Sequence, residues 1–135
     1  MDIDIIIPIY NAFDFVKKCI ETVIEHTDLT QHTLLLVNDK STDERILPLL
    51  NSFIKENQSL NIILIDNKDN QGFVRTVNIG MQYSHHDVVL LNSDTEVTRN
   101  WLSKIQNCAY SKPAVATVTP LSNNATLASV PIFLA

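Results

Sequence analysis

Glycine is nearly missing from this chain: only Gly72 and Gly80 occur in 135 residues, where average usage of ~7% would supply about nine. Two glycines cannot write a GxGxxG fingerprint or a Walker A loop. Any phosphate bound here is therefore not cradled by a glycine-rich turn. Cations are scarce as well, with 10 Lys and Arg against 15 Asp and Glu and a net charge of −5. That balance excludes nucleic acid as a partner, because such binding runs on lysines and arginines that neutralise phosphates. Cysteine is limited to Cys19 and Cys108, each on the apolar stripe of a predicted helix, where buried free thiols of a reducing compartment are expected rather than a disulfide. No apolar run approaches the ~18 residues of a membrane span. The opening Met1-Asp2-Ile3-Asp4 is acidic where a signal peptide is basic. A cytoplasmic protein is expected, or one at the cytoplasmic face of a membrane if the chain is part of something longer.

What is present is a globular composition. With 45% apolar and 19% charged residues the chain falls among soluble single domains, away from disordered and coiled-coil sequences. Five short runs rich in Ile, Val and Leu, at Ile3 to Ile9, Thr33 to Val37, Ile62 to Ile65, Val88 to Leu91 and Ala114 to Val118, show little alternation, which is how strands buried on both faces read. Helical spacing fills the gaps: Val16, Cys19, Ile20, Val23 and Ile24; Ile46, Leu47, Leu50, Phe53 and Ile54; Val74, Val77 and Met81; Trp101, Leu102, Ile105 and Cys108. Ser41-Thr42-Asp43-Glu44 has capping-box spacing before the second helix, although Pro48 predicts a kink or a later start. The third helix is predicted to begin near Phe73. The expected fold is α/β, three-layer α/β/α around a mostly parallel sheet, Rossmann-like, in a single domain over residues 1–135.

Parallel sheets bind ligands at the carboxyl ends of their strands, and those ends are polar here. Pro8, Tyr10 and Asn11 follow the first strand, Asn38 and Asp39 the second, Asp66 and Asn67 the third, and Asn92, Ser93 and Asp94 the fourth. Asp and Asn are also ordinary turn and cap residues, but Asp at three strand ends in a row makes an acidic rim. An anionic ligand on such a rim meets repulsion of about 4 kcal/mol per close pair at an effective dielectric near 20. A divalent cation, Mg²⁺ or Mn²⁺, removes the conflict. It is commonly held by one or two carboxylates with phosphate oxygens completing its shell, which suits Asp94, with Asn92 or Glu96 as neighbours.

Four ordered motifs then carry a resemblance. Ile5-Ile6-Ile7-Pro8-Ile9-Tyr10-Asn11 is similar to the opening strand of the family 2 glycosyltransferases of GT-A fold, and Val37-Asn38-Asp39-Lys40-Ser41-Thr42-Asp43 to their V-D-D-x-S-x-D turn. Asn70-Gln71-Gly72-Phe73 through Asn78-Ile79-Gly80 resembles their N-x-G-x-x-x-x-x-N-x-G segment, and Leu90-Leu91-Asn92-Ser93-Asp94-Thr95-Glu96-Val97 their D-x-D strand and loop. The resemblance covers essentially the whole chain. It implies a donor-binding portion, the N-terminal part of a longer enzyme, that transfers a sugar from a UDP- or dTDP-sugar to an acceptor hydroxyl, on a glycan or lipid-linked glycan, with inversion. Pro8 and Tyr10 would flank the base, Asp39 would accept the ring N–H of uracil or thymine, and Asp94 would hold the metal bridging the diphosphate. Arg75 and Asn78 would reach the base or phosphates, or else be a solvated Arg and a helix-internal Asn.

Two departures stand out. Asn38 replaces the more usual Asp, and Asn92 replaces the first acid of D-x-D. The family's general base belongs to a second half, expected beyond Ala135, so no catalytic residue is assigned here. The competing reading is a nucleotide-binding module without chemistry of its own. A phosphoreceiver-like domain is set aside, because it needs an acidic pair after the first strand and a Lys after the fifth, where Asn11 and Pro120 stand. Trp101 and Leu102 read as core. His26, His32, His85 and His86 read as surface residues that form no metal pair.

Overall fold

The computed structural model describes residues 1–120. Residues 1–99 form one compact unit, and the chain from Asn100 falls in a second. The first unit runs β1 (Ile3–Ile9), α1 (Phe13–His26), β2 (Thr33–Asn38), α2 (Ile46–Glu56), β3 (Ile62–Asp66), α3 (Phe73–Tyr83) and β4 (Asp87–Leu90). The strands pair in parallel in the order β3-β2-β1-β4. From β1 to β2 to β3 the chain steps one way, and from β3 to β4 it returns past both. Right-handed crossovers therefore put α1 and α2 on one face and α3 on the other, giving the three layers that the sequence predicts.

The central strands carry continuous Ile, Val and Leu because both of their faces are covered: Ile5, Ile6, Ile7, Leu34, Leu36 and Val37 are all fully buried. The outer strands β3 and β4 are only half-covered. On the α3 face, Ile6, Leu35 and Val37 form a cluster with Ile63, Ile65 and Val88, and Ile79 packs onto it. Gly80 allows that helix to come close, since a Cβ there would lie 2.7 Å from Ile6 Cγ2. This close approach sets the helix's rotation. Thr76, Val77 and Gly80 are its buried residues, while Val74 and Met81, expected on the stripe, are exposed.

The second helix starts at Ile46, so Pro48 falls in the first turn, where a missing N–H costs nothing. The predicted capping box does not form, because Ser41 Oγ donates to Asn38 Oδ1 and accepts the Asn11 N–H instead. Asn11 Oδ1 accepts the backbone N–H of Thr42 and of Asp43, and Asp43 instead pairs with Arg45 at 2.7 Å. That guanidinium holds the Asp43 carboxyl down at about 2 and lies 4.4 Å over the Phe13 ring.

The second unit contains α4 (Trp101–Ala109), whose buried residue is Leu102. Cys108 is exposed rather than buried, and both cysteines are free thiols. Ala114–Val118 is not a strand: it forms no ladder among the described residues, and Ala114 sits at φ 63°. A short apolar run becomes a strand only where it finds an edge to pair with. His32 is the remaining correction. It is buried, and its Nδ1 accepts the Ile3 N–H at 3.2 Å, so this imidazole is a pin under the first strand rather than a surface residue. Among the described residues no helix is long and apolar enough to cross a membrane.

Candidate active site

The register aligns the ends of three strands. Ile9 pairs with Asn38, and Asn38 with Asp66. The ladder then continues past the strands, with Asp39 N–H on Ile9 O at 2.8 Å and Asn67 N–H on Asn38 O at 2.9 Å. Strand order reverses at β1, between β2 and β4, and the crevice at such a reversal is where open α/β sheets take ligands. A cleft of about 720 Å³ opens there, within the ~300 to 1,000 Å³ usual for small-molecule sites.

Six of the eleven residues that the sequence singles out line this cleft together: Pro8, Tyr10, Asp39, Asn92, Ser93 and Asp94. The other five do not line it. Asn11 staples the loop after β1 to the loop after β2, giving its N–H to Ser41 Oγ and its amide to Thr42 Oγ1. Asp66 accepts the Asn38 amide at 2.8 Å. Asn67 is buried behind Asp39. Arg75 and Asn78 are exposed on α3, away from the cleft lining, which favours their solvated reading.

The Asn38 departure has a structural reason. Its amide donates to Asp66, and its Oδ1 accepts both the N–H and the hydroxyl of Ser41. An Asp at 38 would bring two carboxylates face to face across neighbouring strands.

Asp39 is 4% exposed yet lines the cleft. Its Oδ1 accepts the Gln71 N–H at 2.7 Å and the Asn67 amide at 3.0 Å, and its Oδ2 accepts the Gly72 N–H at 2.9 Å. Burial opposes ionisation, but hydrogen bonds from Gln71, Asn67, Thr76 and Gly72 outweigh it and hold the carboxyl below its ordinary value. Gly72, at φ 78°, supplies the turn that lets both loop N–H groups converge on one carboxylate. The Asn70 amide adds a bond to Asp39 O at 3.1 Å.

Cys19 is buried against the loop that bears Asp94, its thiol 3.7 Å from Asn92 O. Burial pushes its thiol up to about 11, against a hydrogen bond with the Thr95 backbone and with help from the Asp94 charge. This sulfur is not a nucleophile at neutral pH.

Sequence reasoning did not single out Ile9, Ala12, Phe15, Asn70, Gly72, Phe73 and Thr76 as site residues, and they complete the described lining. Three aromatics meet there: Tyr10, Phe15 and Phe73 are 51%, 63% and 61% exposed, although all three are large and apolar in the main. The signal was available, because the first turns of α1 and α3 follow directly on the strand-end loops.

Among the described residues no Lys, Arg or His lines the cleft, and its two carboxylates are Asp39 and Asp94. The oxygen donors of Asp94 and Asn92 suit a hard divalent cation. Among the described residues there is no cluster of three or more His, Cys, Asp or Glu able to hold a metal alone, so ligand oxygens would have to fill most of its shell.

The family described as Glycosyl transferase family 2 matches residues 4–128. The chain belongs to this family. Among its relatives is polypeptide N-acetylgalactosaminyltransferase 11 of Xenopus tropicalis, 31% identical over 104 residues, which are 75% of this chain and 17% of that protein. A mannosyltransferase from Pyrobaculum calidifontis, solved with GDP-Man and Mn²⁺, superposes with a TM-score of 0.75 at 17% identity, over 82% of this chain and 32% of that one. S. aureus TarS with UDP-GlcNAc gives 0.66 at 18% identity, over 78% and 30%. These structures establish the GT-A fold. The chain spans less than a third of each of these proteins.

Proposed function

We propose that this chain is the donor-binding portion, the N-terminal part, of a glycosyltransferase that moves a sugar from a UDP- or dTDP-sugar to an acceptor hydroxyl, with inversion. The observation that carries this reading is the cleft at the sheet reversal, lined among the described residues by two carboxylates and no cationic side chain. A diphosphate enters such a cleft only with positive charge of its own. Mg²⁺ or Mn²⁺ supplies it, neutralising the developing charge on the departing diphosphate. Asp94 would hold that ion, with Asn92 and Ser93 beside it.

At the opposite end Asp39 faces the base. An ionised carboxylate only accepts hydrogen bonds, so it favours a ring that presents an N–H. The fixed loop N–H groups keep it ionised and aimed. Pro8 and Tyr10 flank the base, with Phe73 across the mouth. Neighbours that carry GDP-Man and UDP-GlcNAc support a nucleotide sugar in this place, and the Mn²⁺ of the first supports the metal. The acceptor class we favour is a glycan or a lipid-linked glycan, handled in the cytoplasm or at its membrane face, in keeping with the two free thiols.

A second reading, a nucleotide-binding module without chemistry, is favoured by one observation: the described lining holds two carboxylates, Asp39 and Asp94, and with both given to the donor none is left for an acceptor hydroxyl. Amide chemical shifts recorded while UDP is added with Mg²⁺ test the proposal common to both. Changes are expected at Tyr10, Asp39, Gly72 and Asp94. Changes confined to residues outside the cleft would overturn it.

A further inference from the structure

The loop that carries Asp94 is tied down at both ends. At its entry Leu91 N–H bonds Ile6 O at 2.9 Å, and Asn92 O then accepts the Thr95 N–H at 3.1 Å and the Cys19 S–H at 3.7 Å. At its exit Val97 N–H bonds Thr22 Oγ1 at 3.1 Å. Cys19 and Thr22 stand three residues apart on α1, hence on one face of it, and both are buried, as is Val97.

The Thr22 hydroxyl donates its only proton to Cys19 O at 2.9 Å. Its lone pairs are thereby left for Val97 N–H. Above these ties the loop opens to solvent, with Asn92 and Asp94 exposed. Neither Cys19 nor Thr22 is among the residues that line the cleft.

We infer that Cys19 and Thr22 are positioning residues, through which α1 holds the Asn92–Val97 loop in its ligand-ready shape before any ion or nucleotide arrives. The inference rests on the reading of Asp94 as the metal-holding carboxylate. Supporting residues of this kind commonly change metal affinity by ~10 to 100-fold when removed. Thr22→Val keeps the shape but leaves the buried Val97 N–H without an acceptor, whereas Thr22→Ser retains the hydroxyl.

The test measures Mn²⁺ binding by electron paramagnetic resonance in the presence of UDP, together with uridine affinity in chelator. Thr22→Val is expected to bind Mn²⁺ at least about tenfold more weakly, Thr22→Ser to restore it, and both to bind uridine as the unaltered chain does. Cys19→Ala, which cuts the other tie, should shift Mn²⁺ binding the same way, and it keeps the test open if Thr22→Val does not fold. Unchanged Mn²⁺ affinity in the variants, or uridine affinity falling in parallel with it, overturns the inference. If the unaltered chain binds no Mn²⁺ with UDP, the reading of Asp94 itself fails and the inference with it.

Discussion

Asn67 donates its side-chain amide to Asp39 Oδ1 at 3.0 Å while both residues are buried at the end of neighbouring strands. The amide and the loop N–H groups of Gln71 and Gly72 fix the carboxylate as an acceptor with one orientation. Base selection follows from that fixed polarity. UDP and dTDP should compete for the cleft, and CDP should compete less well, because cytosine presents a ring acceptor to a carboxylate. Facing acceptors in a buried site cost on the order of 1 to 3 kcal/mol. Competition binding against Asp39→Ala checks it: the ranking should collapse in the variant, and an unchanged ranking would contradict the assignment.

Acid stability should depend on His32. Burial lowers its pKa below the usual 6.5, against the pull of the Asp28 and Asp2 charges, and its neutral Nδ1 accepts the Ile3 N–H. A depressed folded pKa means that the unfolded chain binds the proton more readily. The stability contributed is present above about pH 6.5 and is lost as pH falls through the folded pKa. Urea midpoints measured from pH 7.5 downward should fall from about pH 6.5 in the unaltered chain and less steeply in His32→Gln. Parallel curves would contradict this.

Sugar transfer by residues 1–135 alone should be absent at useful rates, while donor binding is expected. A general base must stand about 2.6 to 3.2 Å from the attacking hydroxyl and commonly contributes ~10² to 10⁴-fold. The carboxylates on the cleft, Asp39 and Asp94, both face the donor in the proposed site, and Asp66 is engaged by Asn38. Slow donor hydrolysis by water is expected to persist. A donor-consumption assay with candidate acceptors, run beside a longer form of the protein, distinguishes the two. Efficient acceptor glycosylation by the short chain would return attention to Asp66 and Glu96.

Much of this molecule was legible in its residues. Unbroken Ile, Val and Leu marked β1 and β2, Gly72 marked the start of α3, and the strand-end rule found Pro8, Tyr10, Asp39 and the 92–94 triplet. The rule names positions, however, and not directions. Asn11, Asp66 and Asn67 stand at strand ends too, but each turns to a polar neighbour that only the folded chain brings near. Phe15 and Phe73 were hidden for the opposite reason: apolar residues at a helix start look like core until the helix is placed. Periodicity also misread α3, because Gly80 has no hydrophobicity to contribute and yet decides which face approaches Ile6. Ala114–Val118 shows the limit of composition, since strand-like residues need an edge to pair with.

Central to the proposed function is Asp94 holding a divalent ion against a diphosphate in a cleft whose described lining carries no cationic side chain. Calorimetric titration of UDP into the chain, with Mn²⁺ and then with chelator, tests this most directly when repeated on Asp94→Ala. Binding should be tighter with Mn²⁺ in the unaltered chain, and the difference should vanish in the variant. Equal UDP affinity with and without the metal, or a metal effect that survives loss of the carboxylate, would contradict it.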